Sequence, residues 1–321
     1  MIYPLIFIIL FACELIYFRI ADRFNIIDKP TKRGSHDYIT IRGGGIVFWL
    51  AAVLVFLLPF SLNLLPFLIG ITLISAVSFI DDIRSLPNKI RIVIHFISIS
   101  CVFFGLGLFG VLSWWLITVA YIFFVGILNA YNFMDGINGI TGLYSLVILI
   151  ALQVVNYQIV SFAEPHFINF AIIACVVFLF FNFRKKAKCF AGDIGSMAIS
   201  FWIVTLLLML MLKTNSIVWI MFLAIYGVDT VFTIIHRIYL KQNIFEAHRL
   251  HFFQILSNEM KIPHLLVSTL YAVIQLLICG IVIFVYFYFP KIEILTSTII
   301  LIILSAVYLL KFRFFKNRKN N

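Results

Sequence analysis

Two aspartates, Asp81-Asp82, stand side by side directly after an apolar run and just ahead of Arg84 and Leu86-Pro87. Adjacent carboxylates at a membrane surface repel each other and stay ionised only with a cation, a base or full solvation at hand. Solvation at a helix C-terminus would account for them, but negative charge there opposes the helix dipole. The placement therefore points to catalytic use or metal chemistry. Further along, Asn129-Ala130-Tyr131-Asn132-Phe133-Met134-Asp135-Gly136-Ile137-Asn138-Gly139 repeats a carboxamide or carboxylate at every third residue. Neighbours three apart lie close on a helical or 3₁₀ turn, so the run makes a polar edge able to form several directed hydrogen bonds. Turn formation explains Asp135-Gly136 or Asn138-Gly139 singly, but not the whole series.

Two further groups carry chemistry. Phe190-Ala191-Gly192-Asp193-Ile194-Gly195-Ser196 opens another apolar run. Asp193 has the right type for a helix N-cap, yet a helix N-terminus flanked by glycines also suits a diphosphate, and a carboxylate there can hold the Mg²⁺ that bridges phosphates. With two other acidic clusters in the chain, we assign Asp193 as a Mg²⁺ ligand. His248-Arg249-Leu250-His251 gathers donors suited to phosphate oxygens; zinc would need a third ligand or an HExxH pattern, and neither is present. Three glycines, Gly43-Gly44-Gly45, end a basic segment that begins at Asp28. They let backbone N–H groups approach a phosphate, although a flexible start to a helix is the simpler reading. His36 reads as a loop histidine and His95, inside an apolar run, as a satisfied packing residue. Asp229 lies within another apolar run, where an acid is either functional or paired with a neighbouring helix.

The elements that position these groups are membrane spans. The chain of 321 residues is 64% hydrophobic and 12% charged, whereas an ordinary soluble domain is apolar over about half its residues. Apolar runs of about 17–25 residues are long enough to cross the hydrocarbon as helices. We read eleven of them: 2–18, 44–59, 64–80, 90–108, 111–128, 140–157, 167–183, 197–212, 217–235, 265–289 and 294–310. Twenty-two of the 24 Lys and Arg fall in the segments 19–43, 81–91, 184–188, 236–264 and 311–319; only Lys213 and Lys291 lie on the other side. The positive-inside rule then sets the basic side in the cytosol, the N-terminus outside and the C-terminus inside. All four chemical groups fall on that side. The expectation is an all-α polytopic membrane protein, a single integral-membrane domain over 1–321, with its active face in the cytosol.

Composition excludes other classes. The net charge of +11 sits at span ends, where it fixes topology, so no nucleic-acid partner is expected. Arg184-Lys185-Lys186-Ala187-Lys188 is an anchor of this kind, with attraction of an anionic substrate as a secondary gain. The five cysteines show no paired spacing and read as small packing residues. The N-terminus opens directly into a hydrophobic run and reads as a retained first span.

In order, spacing and topology, Asp81-Asp82, the Asn-x2-Asn-x2-Asp-Gly-x2-Gly stretch from Asn129 to Gly139, Gly192-Asp193-x-Gly195-Ser196 and His248-Arg249-x-His251 resemble the motifs of the polyprenyl-phosphate N-acetylhexosamine-1-phosphate transferases, the glycosyltransferase 4 family. These enzymes start O-antigen, enterobacterial common antigen and teichoic acid linkage synthesis, and include the phospho-MurNAc-pentapeptide translocase. The resemblance implies a Mg²⁺-dependent reaction, with Mn²⁺ as an alternative ion, at the bacterial inner membrane. Undecaprenyl phosphate would attack the β-phosphorus of a UDP-N-acetylsugar, giving the lipid-diphospho-sugar and UMP. By motif position, Asp193 would bind the metal, and Asp81 and Asp82 would manage the lipid phosphate. Asn129, Asn132 and Asp135 would order the nucleotide and metal region. Gly136, Ile137 and Asn138 would line the uracil site with Phe190 stacked on the base, and His248, Arg249 and His251 would contact diphosphate or sugar. A homodimer is compatible with this reading.

Two departures shape the expectation. Many family members carry aspartate where this chain has Asn138; the amide can pair with uracil but brings no charge. The last loop reads His-Arg-x-His, not a run of adjacent histidines, which favours a sugar smaller than MurNAc-pentapeptide: GlcNAc first, then FucNAc, QuiNAc or GalNAc. A transporter would instead place its polar residues at midplane, where only Glu14 and Asp229 come near. A CDP-alcohol phosphotransferase would need an Ala-Arg after Asp135-Gly136 and later paired aspartates, and both are missing.

Overall fold

The computed structural model describes residues 2–29, 38–58, 62–243 and 249–318, with backbone alone over 312–318. With no water in the hydrocarbon to satisfy backbone groups, apolar runs must satisfy them internally, and here they do so as helices. The first, α1 (Ile2–Arg23), leads to a small antiparallel pair, β1 (Ile27–Asp28) and β2 (Thr40–Ile41), with Ile27 opposite Ile41. Then come α2 (Ile46–Leu57), α3 (Leu65–Ile83), α4 (Asn88–Gly105), the short α5 (Leu108–Val111) and α6 (Trp114–Met134). The second half holds α7 (Ile140–Gln158), α8 (Pro165–Asn182), α9 (Gly192–Thr214), α10 (Ala224–Tyr239), the single turn α11 (Phe252–Gln254), α12 (His264–Tyr288) and α13 (Glu293–Arg318). Among the described residues, ten helices are long and apolar enough to cross a membrane, so the chain is a multi-pass, all-α membrane protein.

One expected span is corrected. The run 44–59 forms the 12-residue helix α2, about 18 Å long at 1.5 Å per residue, against a hydrocarbon core of about 30 Å. The cause is local: Gly43 has φ +79°, and the turn through Gly44 and Gly45 delays the helix to Ile46. The same turn lets two backbones meet. A Cβ added at Gly45 would lie 2.2 Å from the Cα of Gly195 near the start of α9, so no side chain fits between them.

Helix α9 is the most enclosed span and packs against α2, α3, α6 and α7, while α13 is almost wholly lipid-facing, with Ile294, Leu295, Ile302 and Ile303 exposed. Long helices alternate in direction. The C-terminal ends of α1, α3, α6, α8 and α10 therefore gather on one face with the N-terminal ends of α2, α4, α7, α9 and α12. Hydrogen bonds from Tyr17 to Arg42, Arg42 to Asp82, Asn132 to Ser196 and Ser268 to Asn138 tie that face together. On the opposite face Tyr3 meets His166 and Asn169, and Ser216 meets Glu293.

Candidate active site

The gathered face is built around Asp82. Its carboxylate, almost fully buried at the end of α3, accepts the backbone N–H of Asp193 at 2.9 Å and of Ile194 at 3.0 Å, and the Arg42 Nε at 2.7 Å. Thus Asp82 caps the N-terminus of α9, a placement the helix dipole favours. The free donors that the sequence offers to a diphosphate there are already taken by this side chain. Gly192, at φ +72°, makes the approach: a Cβ on it would stand 2.6 Å from an Asp82 oxygen. Asp81 points elsewhere. It accepts the Leu86 N–H at 2.6 Å and pairs with Arg91 at 3.0 Å. The guanidinium of Arg91 also reaches Asp193 at 3.8 Å, and that of Arg42 reaches it at 3.6 Å, so two arginines bracket one carboxylate.

Beside this cluster lies a cavity of about 250 Å³ lined by Asp28, Arg42, Asn132, Asp135, Gly136, Ile137, Asn138, Phe190 and Asp193 among others. Most of the expected nucleotide residues thus share one chamber. Asp135 follows the last residue of α6 and accepts the Thr141 hydroxyl at 2.7 Å. Burial pushes its carboxyl up to about 7; the charges of Asp193 and Asp82 add to this, and the Thr141 bond and Arg42 oppose it. Asn132 donates to Ser196 at 3.1 Å, fixing α6 to α9. Asn138 is spent on structure: its amide donates to the carbonyls of Arg184 at 2.8 Å and Lys185 at 3.3 Å and meets the Tyr38 hydroxyl at 3.2 Å. Phe190 is set in place by its backbone, donating to Ile41 and accepting from Gly44.

Among the described residues, no three His, Cys, Asp or Glu side chains converge as a protein-only metal cage. Magnesium does not require one, since it keeps several waters and takes one or two carboxylates together with substrate phosphates. The cavity offers the carboxylates of Asp135 and Asp193 and the carboxamide oxygen of Asn132. That donor set fits Mg²⁺ or Mn²⁺.

A second, larger cavity of about 570 Å³ runs between α4, α6 and α10 and is lined by Arg91, His95, Asn129 and His251 with apolar residues such as Phe96, Val125 and Ile234. Asn129 belongs to this cavity, apart from Asn132 and Asp135. His251 is held by Asp229, whose carboxylate meets Nδ1 at 3.2 Å and also takes the Phe252 N–H at 2.9 Å and the Tyr271 hydroxyl at 2.8 Å. Of the two readings of Asp229, the structure gives pairing, with a purpose: it caps the segment that carries His251. Arg249 stands just ahead of that segment, and His248 lies outside the described residues. Arg42, Arg91, Tyr38 and Asn182 escaped the sequence reading. Asn182 accepts the Gly139 N–H at 2.7 Å and donates to the Cys189 carbonyl at 2.8 Å, joining two site loops. The arginines were countable only as topology charges; their partners are 40 and 10 residues away and follow no local pattern.

Comparison with known proteins agrees with this geometry. A sequence model of the family described as Glycosyl transferase family 4 matches residues 64–211, the stretch that carries Asp81-Asp82, the asparagine series and Asp193. The chain is 28% identical over 254 residues to a Bacillus subtilis (strain 168) protein named "Probable undecaprenyl-phosphate N-acetylglucosaminyl 1-phosphate transferase", covering 73% of this chain and 70% of that one. It is 30% identical over 182 residues to the phospho-N-acetylmuramoyl-pentapeptide-transferase of Dictyoglomus thermophilum, covering 51% and 57% respectively. It is 28% identical over 214 residues to the decaprenyl-phosphate N-acetylglucosaminephosphotransferase of Mycolicibacterium smegmatis, covering 56% and 52%. The alignments therefore span little more than half the length of the latter two relatives. With the matched spans delivering the acidic motifs to one face of a multi-pass bundle, the chain is similar to glycosyl transferase family 4 over 64–211 and to polyprenyl-phosphate N-acetylglucosamine-1-phosphate transferases over a longer stretch.

Proposed function

We propose that the protein transfers an N-acetylhexosamine 1-phosphate, with GlcNAc 1-phosphate as the first choice, from a UDP-sugar to undecaprenyl phosphate. UMP is released and a lipid-linked surface glycan is begun. The observation that carries this reading is the pairing of two cavities across Arg91: a compact polar chamber holding Asp135, Asp193 and Phe190, and a larger, partly apolar groove holding Asn129 and His251. A soluble nucleotide fits the first and a lipid the second. The same face carries the basic segments, so the positive-inside rule turns it to the cytosol of the cytoplasmic membrane, where a UDP-sugar is available.

Phosphoryl transfer asks mainly for charge neutralisation and in-line positioning. Phe190 would stack on the uracil against Gly136 and Ile137, and Arg42 and Arg91 would draw the diphosphate towards Asp193. Asp193 and Asp135, with Asn132, would hold a Mg²⁺ ion; when bound, it would neutralise the diphosphate and leave the β-phosphorus open to attack. Asp81, fixed by Arg91 and the Leu86 N–H, would orient the acceptor phosphate, one of whose oxygens bonds to the β-phosphorus as the bond to the UMP oxygen breaks. In this arrangement Asp82 acts as a positioning residue, since its oxygens are committed to α9 and Arg42.

The test uses the purified chain in lipid nanodiscs with undecaprenyl phosphate, Mg²⁺ and a panel of UDP-GlcNAc, UDP-FucNAc, UDP-QuiNAc and UDP-GalNAc. The expected result is acceptor-dependent UMP release, fastest with UDP-GlcNAc and abolished by chelation. No UMP from any donor overturns the reading.

A further inference from the structure

Asn138 has no N–H left to give a base. Its carboxamide nitrogen is spent on the Arg184 and Lys185 carbonyls and the Tyr38 hydroxyl, and the nearby Gly136 N–H goes to the Met134 carbonyl. A nucleobase that presents carbonyl oxygens here must find a side-chain donor elsewhere. One stands in the same chamber, outside every sequence motif. Gln254, on the single turn α11, lines the cavity with Asn138, Gly136 and Phe190.

Its approach depends on Gly136. A Cβ there would stand 3.0 Å from the Phe253 ring and 3.9 Å from Gln254 Nε2, so the bare backbone lets α11 close over the 135–138 loop. The turn is held from behind: Asp229 takes the Phe252 N–H at 2.9 Å, and Gln254 Oε1 accepts the His251 N–H at 3.2 Å. That bond sets which way round the carboxamide lies, because only its oxygen can accept. The Nε2 end is left beside Gly136. Among the described residues nothing accepts a hydrogen bond from it, and the half-buried side chain leaves it open, not sealed in the core. A donor whose position is fixed before the ligand arrives loses little freedom on binding. The Arg42 guanidinium in the same chamber is turned to Asp82 and Asp193; that cation suits phosphate, whereas the neutral amide of Gln254 suits an uncharged carbonyl.

We infer that Gln254 is a specificity-determining residue that reads the base, its Nε2–H donating to the uracil carbonyl at the edge away from the ribose, where cytosine carries an amino group. Selection of uridine over cytidine nucleotides thereby sits on the turn that bears His251 and not at position 138. The inference rests on the transfer reading for the identity of the donor, but nucleotide binding tests it without turnover.

The experiment compares the full-length protein in nanodiscs with Gln254→Glu, which keeps an acceptor for the His251 N–H and replaces the free donor by an acceptor. Binding of UMP, CMP and thio-UMP, in which sulfur replaces that carbonyl oxygen, is measured by calorimetry with Mg²⁺ present, and kinetics are run against acceptor and UDP-sugar separately. Gln254→Glu should weaken UMP binding and raise the UDP-sugar KM by about tenfold, the size of one hydrogen bond. CMP binding should not weaken, and the acceptor KM should stay unchanged. The wild type should bind thio-UMP more weakly than UMP. Gln254→Met, apolar and of similar length, should bind the two alike, and it decides the matter should the new charge unsettle the turn. Unchanged UMP affinity in both variants, equal weakening towards UMP and CMP, a loss seen with UDP-sugar but not with UMP, or an equal rise in acceptor KM overturns the inference. If the wild type binds UMP yet releases none from any donor, the transfer reading falls while the binding arm still decides Gln254.

Discussion

Asp81 and Asp82 are neighbours in sequence and opposites in use. Asp82 is buried on two backbone N–H groups and Arg42, whereas Asp81 faces Arg91 at the mouth of the site. Asp82→Ala leaves the buried N–H groups of Asp193 and Ile194 without their acceptor, so it should lower stability by about 1–3 kcal/mol, together with activity. Asp81→Asn keeps an acceptor for the Leu86 N–H and should remove most turnover with little change in melting temperature. Matched melting curves and rates for the two variants check the split, and equal destabilisation would refute it. Asn138 tests the other departure. Its amide donates to two main-chain carbonyls, which a carboxylate cannot do, so Asn138→Asp should cost about 2–3 kcal/mol and raise the UDP-sugar KM. The residue types at these positions were legible in the sequence, because a carboxylate at a helix end or a regular series of amides is a local anomaly. Their partners were not, since Asn138 bonds to a loop 46 residues away and Asp82 to a helix 111 residues away.

At the scale of elements, hydropathy and run length located every long span, because a helix in hydrocarbon needs little beyond apolar residues over the right distance. The shortness of α2 was hidden, as it depends on a positive φ at Gly43 and on the Gly45–Gly195 contact, neither of which alters the apolar pattern. That contact sets how α2 and α9 bring Arg42 and Asp193 together. Gly45→Ala should force the two helices apart at a cost of about 1–3 kcal/mol and slow transfer, measured by thermal unfolding and UMP release. A second element, α13, is marked in the sequence only by its apolar run 294–310 and the cations of 311–319. Lys311 on α13 is fully buried and donates to the Leu250 carbonyl and, at 2.5 Å, to the Tyr308 hydroxyl, which meets Thr233 at 2.7 Å. Thr233 in turn donates to Asp229. A peripheral, lipid-facing helix is thereby tied to the segment that carries His251.

For the whole molecule, the decisive feature is that helix ends from both halves of the chain converge on one face. Charge alone predicted which loops share a side, since cations mark that side without regard to fold. It could not predict that two separate cavities would adjoin there, because that depends on how α4, α6, α9 and α10 pack. If the basic face is cytosolic, a cysteine introduced at Lys185 should be labelled only from the cytosolic side of membrane vesicles and one at Lys213 only from the other. Labelling of both from one side would break the topology. The tie between Lys311 and Leu250 has a temporal consequence as well. Since the ribosome makes α13 last among these elements, a nascent chain can insert its other long spans and still lack the brace on its histidine segment. Competence would then arrive only once α13 has been made and docked, sparing lipid carrier from half-made enzyme.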